Sequence, residues 1–375
     1  MGLCGKTLLA VTILLVALLV HFFSDIRDPL AKADSILFVK QEFDHRFDIE
    51  DQGRWCFFDV PNENEKGTQS PILFVIHGKS MNADDMKTLF GETAVARARR
   101  EGFLVVYPVG LMHDGSRTWN AGSVSSHNDA DDVAYFSQVV AHLAKNFNAD
   151  PESVFLSGMS NGGFMTHRLA CAWASESQPI RVRAIAPTLG GLGKMKYDAK
   201  CGGEAIKIGL VPIPSIRLFD QEACPYQAWI DAPSHFECDA LKDLPALIVN
   251  NGADILVPPS GSVSGQHNEL YPPVEYTLRF YAEANGCDYP ERVESFRRVS
   301  SVDPDDITTC HSLRGCRANT TLCVSHKSGH NWVARTNGDE PAMPSRFFLW
   351  LMSPYAKTID TSSEILGFFS HHRKH

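Results

Sequence analysis

Gly158-Met159-Ser160-Asn161-Gly162 sets a serine between two glycines, each two positions away. A hydroxyl in that setting does nucleophilic chemistry when its residue sits on a sharp strand-to-helix turn. The two backbones approach closely there, so the flanking positions must be small, and the turn lifts Oγ above the strand ends. The helix that follows presents backbone N–H groups toward developing negative charge. Such a serine needs a base to take its proton and a carboxylate to orient the base, both later in the chain and each after a strand. Asp254 follows the apolar run Ala246 to Val249, within Asn250-Asn251-Gly252-Ala253-Asp254. An Asp is also what a simple turn prefers at such a place. His330 follows the run Thr321 to Val324 through Lys327-Ser328-Gly329, a connection long enough to carry it back over the sheet edge; His326, nearer the strand, is the rival base. His167 lies on the helix face of Ser160 but about 10 Å along the axis, out of bonding reach, and reads as structural. His77-Gly78-Lys79 closes the run Ile72 to Ile76, where an oxyanion-binding loop belongs. The backbone N–H groups of Lys79 and Asn161 are the candidate oxyanion donors, with His77 shaping the loop.

The elements that must position these groups show as short apolar runs alternating with helix-length amphipathic stretches. The runs are Ile72 to Ile76, Phe103 to Tyr107, Val154 to Leu156, Val182 to Ile185, Ala246 to Val249 and Thr321 to Val324. Between them, Val133 to Phe147 spaces Val133, Phe136, Val139, Val140 and Leu143 helically, and a further helix runs from Phe164 to Trp173 behind a glycine pair. This alternation predicts an α/β fold: a mostly parallel central sheet covered by helices on both faces. Residues 189–243, with Gly190-Gly191, Pro212, Pro214 and three cysteines, show no period and read as an insertion tied down by disulfides. With no repeat and no Ser-, Thr- or Pro-rich linker, residues 34–375 read as a single catalytic domain.

Charge and cysteines narrow the setting. The 35 basic and 44 acidic residues leave a net charge of −9, which opposes nucleic acid and anionic lipid surfaces as partners. Leu8 to Val20 is apolar apart from Thr12, behind Lys6 and the amino terminus. Residues 1–33 are thus expected to be a signal peptide cut near Ala31-Lys32-Ala33, or else an uncut signal anchor, the only contact with a membrane that the sequence suggests. Either way the body of the protein is outside the cytosol, secreted or in the secretory lumen. Beyond Cys4 there are nine cysteines, so at most four bridges and at least one free thiol are expected. No Cys-x-x-Cys or His-Glu-x-x-His spacing occurs, and neither a metal nor any other cofactor is expected. Asn319-Thr320-Thr321 is a glycosylation sequon that agrees with export.

The chain resembles the α/β-hydrolase esterases of the polyhydroxybutyrate depolymerase and feruloyl esterase type. The resemblance lies in His77-Gly78, Tyr107-Pro108 through Trp119-Asn120-Ala121-Gly122, Asp131-Asp132-Val133, Gly158 to Gly163, Arg168-Leu169-Ala170-Cys171, Asn285-Gly286-Cys287 and Gly329-His330-Asn331-Trp332. It implies the α/β-hydrolase fold, a triad of Ser160, Asp254 and His330, and a Cys287 to Cys316 bridge. Departures fall at Lys79, at the His-Lys-Ser-Gly run before His330, and in the long segment 189–243, all around the expected acyl pocket. The expected activity is hydrolysis of small or oligomeric carboxylic esters, short-chain, hydroxyacyl or hydroxycinnamoyl, through an acyl-enzyme. Trp119 and Trp332 either line the substrate groove or pack beneath the site loops. Two other readings compete: a serine peptidase on the same fold, and an adhesion module that keeps the fold without the chemistry.

Overall fold

The computed structural model describes residues 40–49, 53–62, 68–122, 128–193, 195–196, 199–208, 211–220, 222–223, 238, 240–264, 269–288, 297–300, 307–333 and 358–373. The expected leader, residues 1–33, lies outside them. Among the described residues no helix is long and apolar enough to cross a membrane.

The apolar runs are the strands of one ten-stranded sheet. In chain order these are β1 (His45–Ile49), β2 (Arg54–Asp59), β3 (Ser70–Ile76), β4 (Leu104–Pro108), β5 (Ala149–Met159), β6 (Val182–Thr188), β7 (Ala246–Asn251), β8 (Arg297–Ser300), β9 (Ile307–Ser312) and β10 (Thr320–Ser325). Across the sheet the order is β1-β2-β4-β3-β5-β6-β7-β10-β9-β8. The stretch from β4 to β10 in that order is parallel throughout. Both margins are antiparallel.

Every residue of β3 is buried, because helices cover both faces. Ile72, Phe74 and Ile76 pack in one layer with α3 (Asp132–Phe147), α4 (Asn161–Ala172) and α5 (Val274–Ala284). Leu73 and Val75 pack in the other with α1 (Ala83–Phe90), α2 (Glu92–Arg100) and α6 (Thr361–His371). Each such side chain contributes about 1.5 to 3 kcal/mol by leaving water. Helix α3 starts where Asp131 caps it, its carboxylate accepting from the Ala134 N–H.

Residues 189–243, read as lacking a period, contribute three strands to a five-stranded antiparallel sheet. Its order is Gly202–Ile208, Val211–Phe219, Ser262–Ser264, Glu269–Tyr271, Met195–Lys196. Register shifts between Gly202 and Ala205, and again between Ala205 and Ile206, interrupt the alternation that would have marked a strand. Two of the five strands lie beyond β7, so the insertion is wider than the sequence suggested.

Disulfides join Cys171 to Cys238, Cys287 to Cys316 and Cys310 to Cys323, and Cys201 is also disulfide-bonded. The Cys287 to Cys316 bridge is the one implied by the family resemblance; it ties the end of α5 to the loop before β10. Cys56 is the free thiol among the described residues. Burial pushes its pKa up to about 12, which keeps it unreactive. Asn319, exposed, precedes β10 at the end opposite His330.

Candidate active site

Ser160 follows the last residue of β5 and caps α4 with φ 55° and ψ −121°. A residue other than glycine held at positive φ costs on the order of 1 to 3 kcal/mol and persists only where its surroundings enforce it. The surroundings here are specific. The Ser160 N–H donates to the Thr188 carbonyl at the end of β6 (2.9 Å), and its own carbonyl accepts from Phe164 (3.0 Å). A Cβ at Gly158 would lie 2.5 Å from the Gly162 oxygen, and one at Gly162 would run into the Ile76 carbonyl. The spacing of the two glycines is therefore a steric requirement of the elbow. For the same reason α4 starts at Asn161 and not at Phe164: the glycine pair is in its first turn, Gly162 pressed against the end of β3 and Gly163 against Thr188 at the end of β6.

Asp254 and His330 leave the C-terminal ends of β7 and β10, which run parallel, so both stand at the sheet edge that carries Ser160. The buried Asp254 carboxylate accepts from the Leu256 and Val257 N–H groups through Oδ1 (2.8 and 2.9 Å). Its Oδ2 lies 2.7 Å from Nδ1 of His330. A carboxylate can only accept here, so Nδ1 carries a hydrogen, and in the neutral ring this places the lone pair that a general base requires on Nε2. His326 is exposed and bonds Thr309 Oγ1 through Nε2 (2.9 Å) instead. His167, fully buried, faces the Tyr281 hydroxyl (2.8 Å). The turn carrying His330 is held by Asn251, the last residue of β7, whose Nδ2 donates to the carbonyls of Gly329 (2.6 Å) and Asn331 (2.8 Å).

The loop after β3 is set by His77. Its Nε2 accepts from the Gly110 N–H (2.9 Å), so the hydrogen is on Nδ1, which donates to the Gly78 carbonyl (2.7 Å). In a trans peptide the Lys79 N–H points opposite to that carbonyl. Gly78 abuts Ser160: a Cβ there would be 3.4 Å from Ser160 Cβ.

The Asn161 side chain is committed elsewhere. Its Oδ1 accepts from the Trp119 N–H (2.7 Å) and the Thr118 hydroxyl (3.1 Å), and its Nδ2 donates to the Trp119 carbonyl (3.2 Å). The Trp119 indole then donates to the His77 carbonyl (2.8 Å).

Trp119 and Trp332 do not line a groove. They are 0% and 1% exposed, and each indole N–H is spent on a buried partner, His77 for one and Ser362 Oγ (3.0 Å) for the other. Both pack beneath the site loops. The structure gives parts to residues that the sequence reading named without one, Asn251 and Asp132, and adds Arg54, which pairs with Asp132 in the interior (2.7 Å). Asp132 receives the Asn120 N–H (2.6 Å), anchoring the segment that braces Asn161, while the Arg54 guanidinium lies 3.7 Å over the Tyr135 ring. A buried Asn and an Arg far from any motif carry no spacing signal of their own.

Burial pushes the pKa values of His77 and His167 down to about 3. Their unfolded imidazoles titrate near 6.5. Between those limits the unfolded chain binds more protons than the folded one, so stability falls as pH drops from about 6.5 toward 3, by up to roughly 1.4 kcal/mol per pH unit for each histidine. Urea unfolding at steps from pH 7 to 4 measures this slope. His167→Gln is expected to remove about one proton's share of it; an unchanged slope refutes the assignment.

The family model described as alpha/beta hydrolase fold matches residues 127–276, and that described as esterase PHB depolymerase matches residues 63–183. The putative esterase NocK of Nocardia uniformis subsp. tsuyamanensis is 25% identical over 73% of this chain and 68% of its own length. The bifunctional acetylxylan esterase/xylanase XynS20E of Neocallimastix patriciarum is 31% identical over 32% of this chain, a match spanning 16% of that protein. An acetyl xylan esterase structure from Aspergillus awamori aligns with a TM-score of 0.46 at 15% identity, covering 82% of this chain and 98% of that one. With its parallel sheet, serine elbow and family matches, the chain has the α/β-hydrolase fold and is similar to esterases of the polyhydroxybutyrate depolymerase type.

Proposed function

We propose that the protein is a serine esterase in which Ser160, His330 and Asp254 act as a triad. The observation that carries this is the Asp254–His330 pair at the same sheet edge as the strained Ser160 elbow. In the first step His330 Nε2 takes the Ser160 proton as Oγ adds to the ester carbonyl, and the oxyanion is held by the N–H groups of Lys79 and Asn161. Collapse expels the alcohol, which receives the proton from Nε2, and leaves an acyl-serine. Water, deprotonated by the same nitrogen, then adds to the acyl carbonyl; release of the acid returns the proton to Ser160. Each oxyanion donor is worth on the order of 3 kcal/mol in such a reaction.

The substrates are soluble esters with short-chain, hydroxyacyl or hydroxycinnamoyl groups. The acetylxylan esterase named among the relatives supports the acetyl end of that range. Acetyl, hydroxybutyryl and feruloyl esters assayed side by side with a peptide amide are the test. Saturable turnover of at least one ester, with the amide spared, is expected; cleavage of the amide alone overturns the reading. The disulfides support an oxidising compartment outside the cytosol, and recovery of the protein from the cytosolic fraction would count against that placement.

A further inference from the structure

We infer that Asn251 is a positioning residue for the base: its amide fixes the backbone on either side of His330 and so aims Nε2. The inference rests on the esterase reading for its kinetic arm alone. Asp254 holds the imidazole at one point, Nδ1 (2.7 Å). A ring held only there can keep that bond while its Cα shifts, and Nε2, on the far side of the ring, then swings through the largest arc. Asn251 removes this freedom. Both hydrogens of its single Nδ2 are spent, one on the carbonyl of Gly329, the residue before His330 (2.6 Å), and one on the carbonyl of Asn331, the residue after it (2.8 Å). The first of these carbonyls lies in the peptide that ends at the His330 nitrogen and the second in the peptide that follows Asn331, so the short backbone segment carrying His330 is pinned on both sides, and with it the direction of its Cα–Cβ bond.

The anchor itself is rigid. Asn251 is 1% exposed and is the last residue of β7, in register with Ser325 of β10. Its orientation is settled by its partners, since two carbonyl oxygens accept only from the amide nitrogen and never from Oδ1. The next residue lets the two loops close on each other: a Cβ at Gly252 would lie 2.6 Å from the His326 oxygen. The same loop supplies Asp254, so one short segment of β7 and its exit governs both the tilt of the ring and the seat of its backbone. Chemistry alone explains the residue type. Asp at 251 would turn two acceptors on two acceptors, Ala would remove both bonds that reach across from β7, and Ser has one hydrogen for two sites.

The test compares Asn251→Ala and Asn251→Ser with the wild type and with Ser160→Ala. Misplacement of a catalytic group by about 1 Å costs on the order of 10²-fold in rate, so Asn251→Ala is expected to lose roughly that in kcat with KM within about twofold. Asn251→Ser, with one donor left, is expected to fall between, and it decides the question if the Ala variant does not fold. The second readout is the far-downfield proton resonance of the His330 Nδ1–H facing Asp254. It should be sharp in the wild type and in Ser160→Ala, and broadened or lost in Asn251→Ala at a temperature where the fold is intact by circular dichroism. Wild-type kcat in both Asn251 variants, or an unchanged resonance in them, overturns the proposal. Full ester turnover by Ser160→Ala overturns the esterase reading instead, and leaves the resonance comparison standing.

Discussion

Ser160→Ala is expected to lower kcat for a p-nitrophenyl ester by about 10⁴- to 10⁶-fold, with residual rate coming only from binding and the oxyanion donors. Loss of Oγ removes the acyl-serine altogether, so no compensating path of similar speed exists on the protein. The fold is expected to survive, because Ala and Ser meet the same backbone penalty at φ 55°, and the bonds that hold the elbow to Thr188 and Phe164 are made by the Ser160 backbone. Thermal unfolding should therefore stay within a few degrees of the wild type, while covalent labelling by a fluorophosphonate probe disappears. Hydrolysis at the wild-type rate by this variant would remove Ser160 from the reaction.

Asp254→Asn is the second large effect, on the order of a 10⁴-fold loss in kcat near neutral pH. The substitution preserves shape, and the new amide can keep its oxygen on the Leu256 and Val257 N–H groups, where Asp254 Oδ1 is held now. That choice leaves the amide nitrogen facing Nδ1 of His330. Nδ1 must then accept, the ring hydrogen moves to Nε2, and the nitrogen that should take the serine proton is already occupied. Structure is thus preserved and the tautomer is wrong, which separates this variant from one that merely unfolds. A loss of less than about tenfold, with the introduced amide shown by mass spectrometry not to have deamidated, would refute the role given to the carboxylate.

Much of this frame was legible in the sequence, for reasons that can be named. Buried parallel strands read as unbroken apolar runs, so β3, β4, β6 and β7 stood out within a few residues at their ends. The elbow was legible because its two glycines are demanded by backbone contacts rather than by taste in composition. The antiparallel margins β1, β2, β9 and β8 were missed: they alternate or are short, and His45–Ile49 carries two charged residues, Arg46 and Asp48, in its five positions. Trp119 illustrates the limit for site residues. Its backbone bonds Asn161, the residue after Ser160, but a side chain's facing is settled by a bond partner, here the His77 carbonyl, that no local pattern announces. Asn251 escaped for the same reason, since its partners are contributed by residues 329 and 331, far along the chain.

The small five-stranded sheet is assembled from segments on both sides of β7 and the Asp254 loop, with strands at 195–219 pairing to strands at 262–271. A ribosome must therefore deliver the entire Asp254 loop before this sheet can close, which makes it a late, long-range event in the order of assembly. It also means that the region is not a removable cassette. Excision of 195–219 would strip the partner from Ser262–Ser264 and bare a sheet edge just downstream of Asp254. Any exchange of this region between related enzymes has to carry the chain through Tyr271 as one transplanted block.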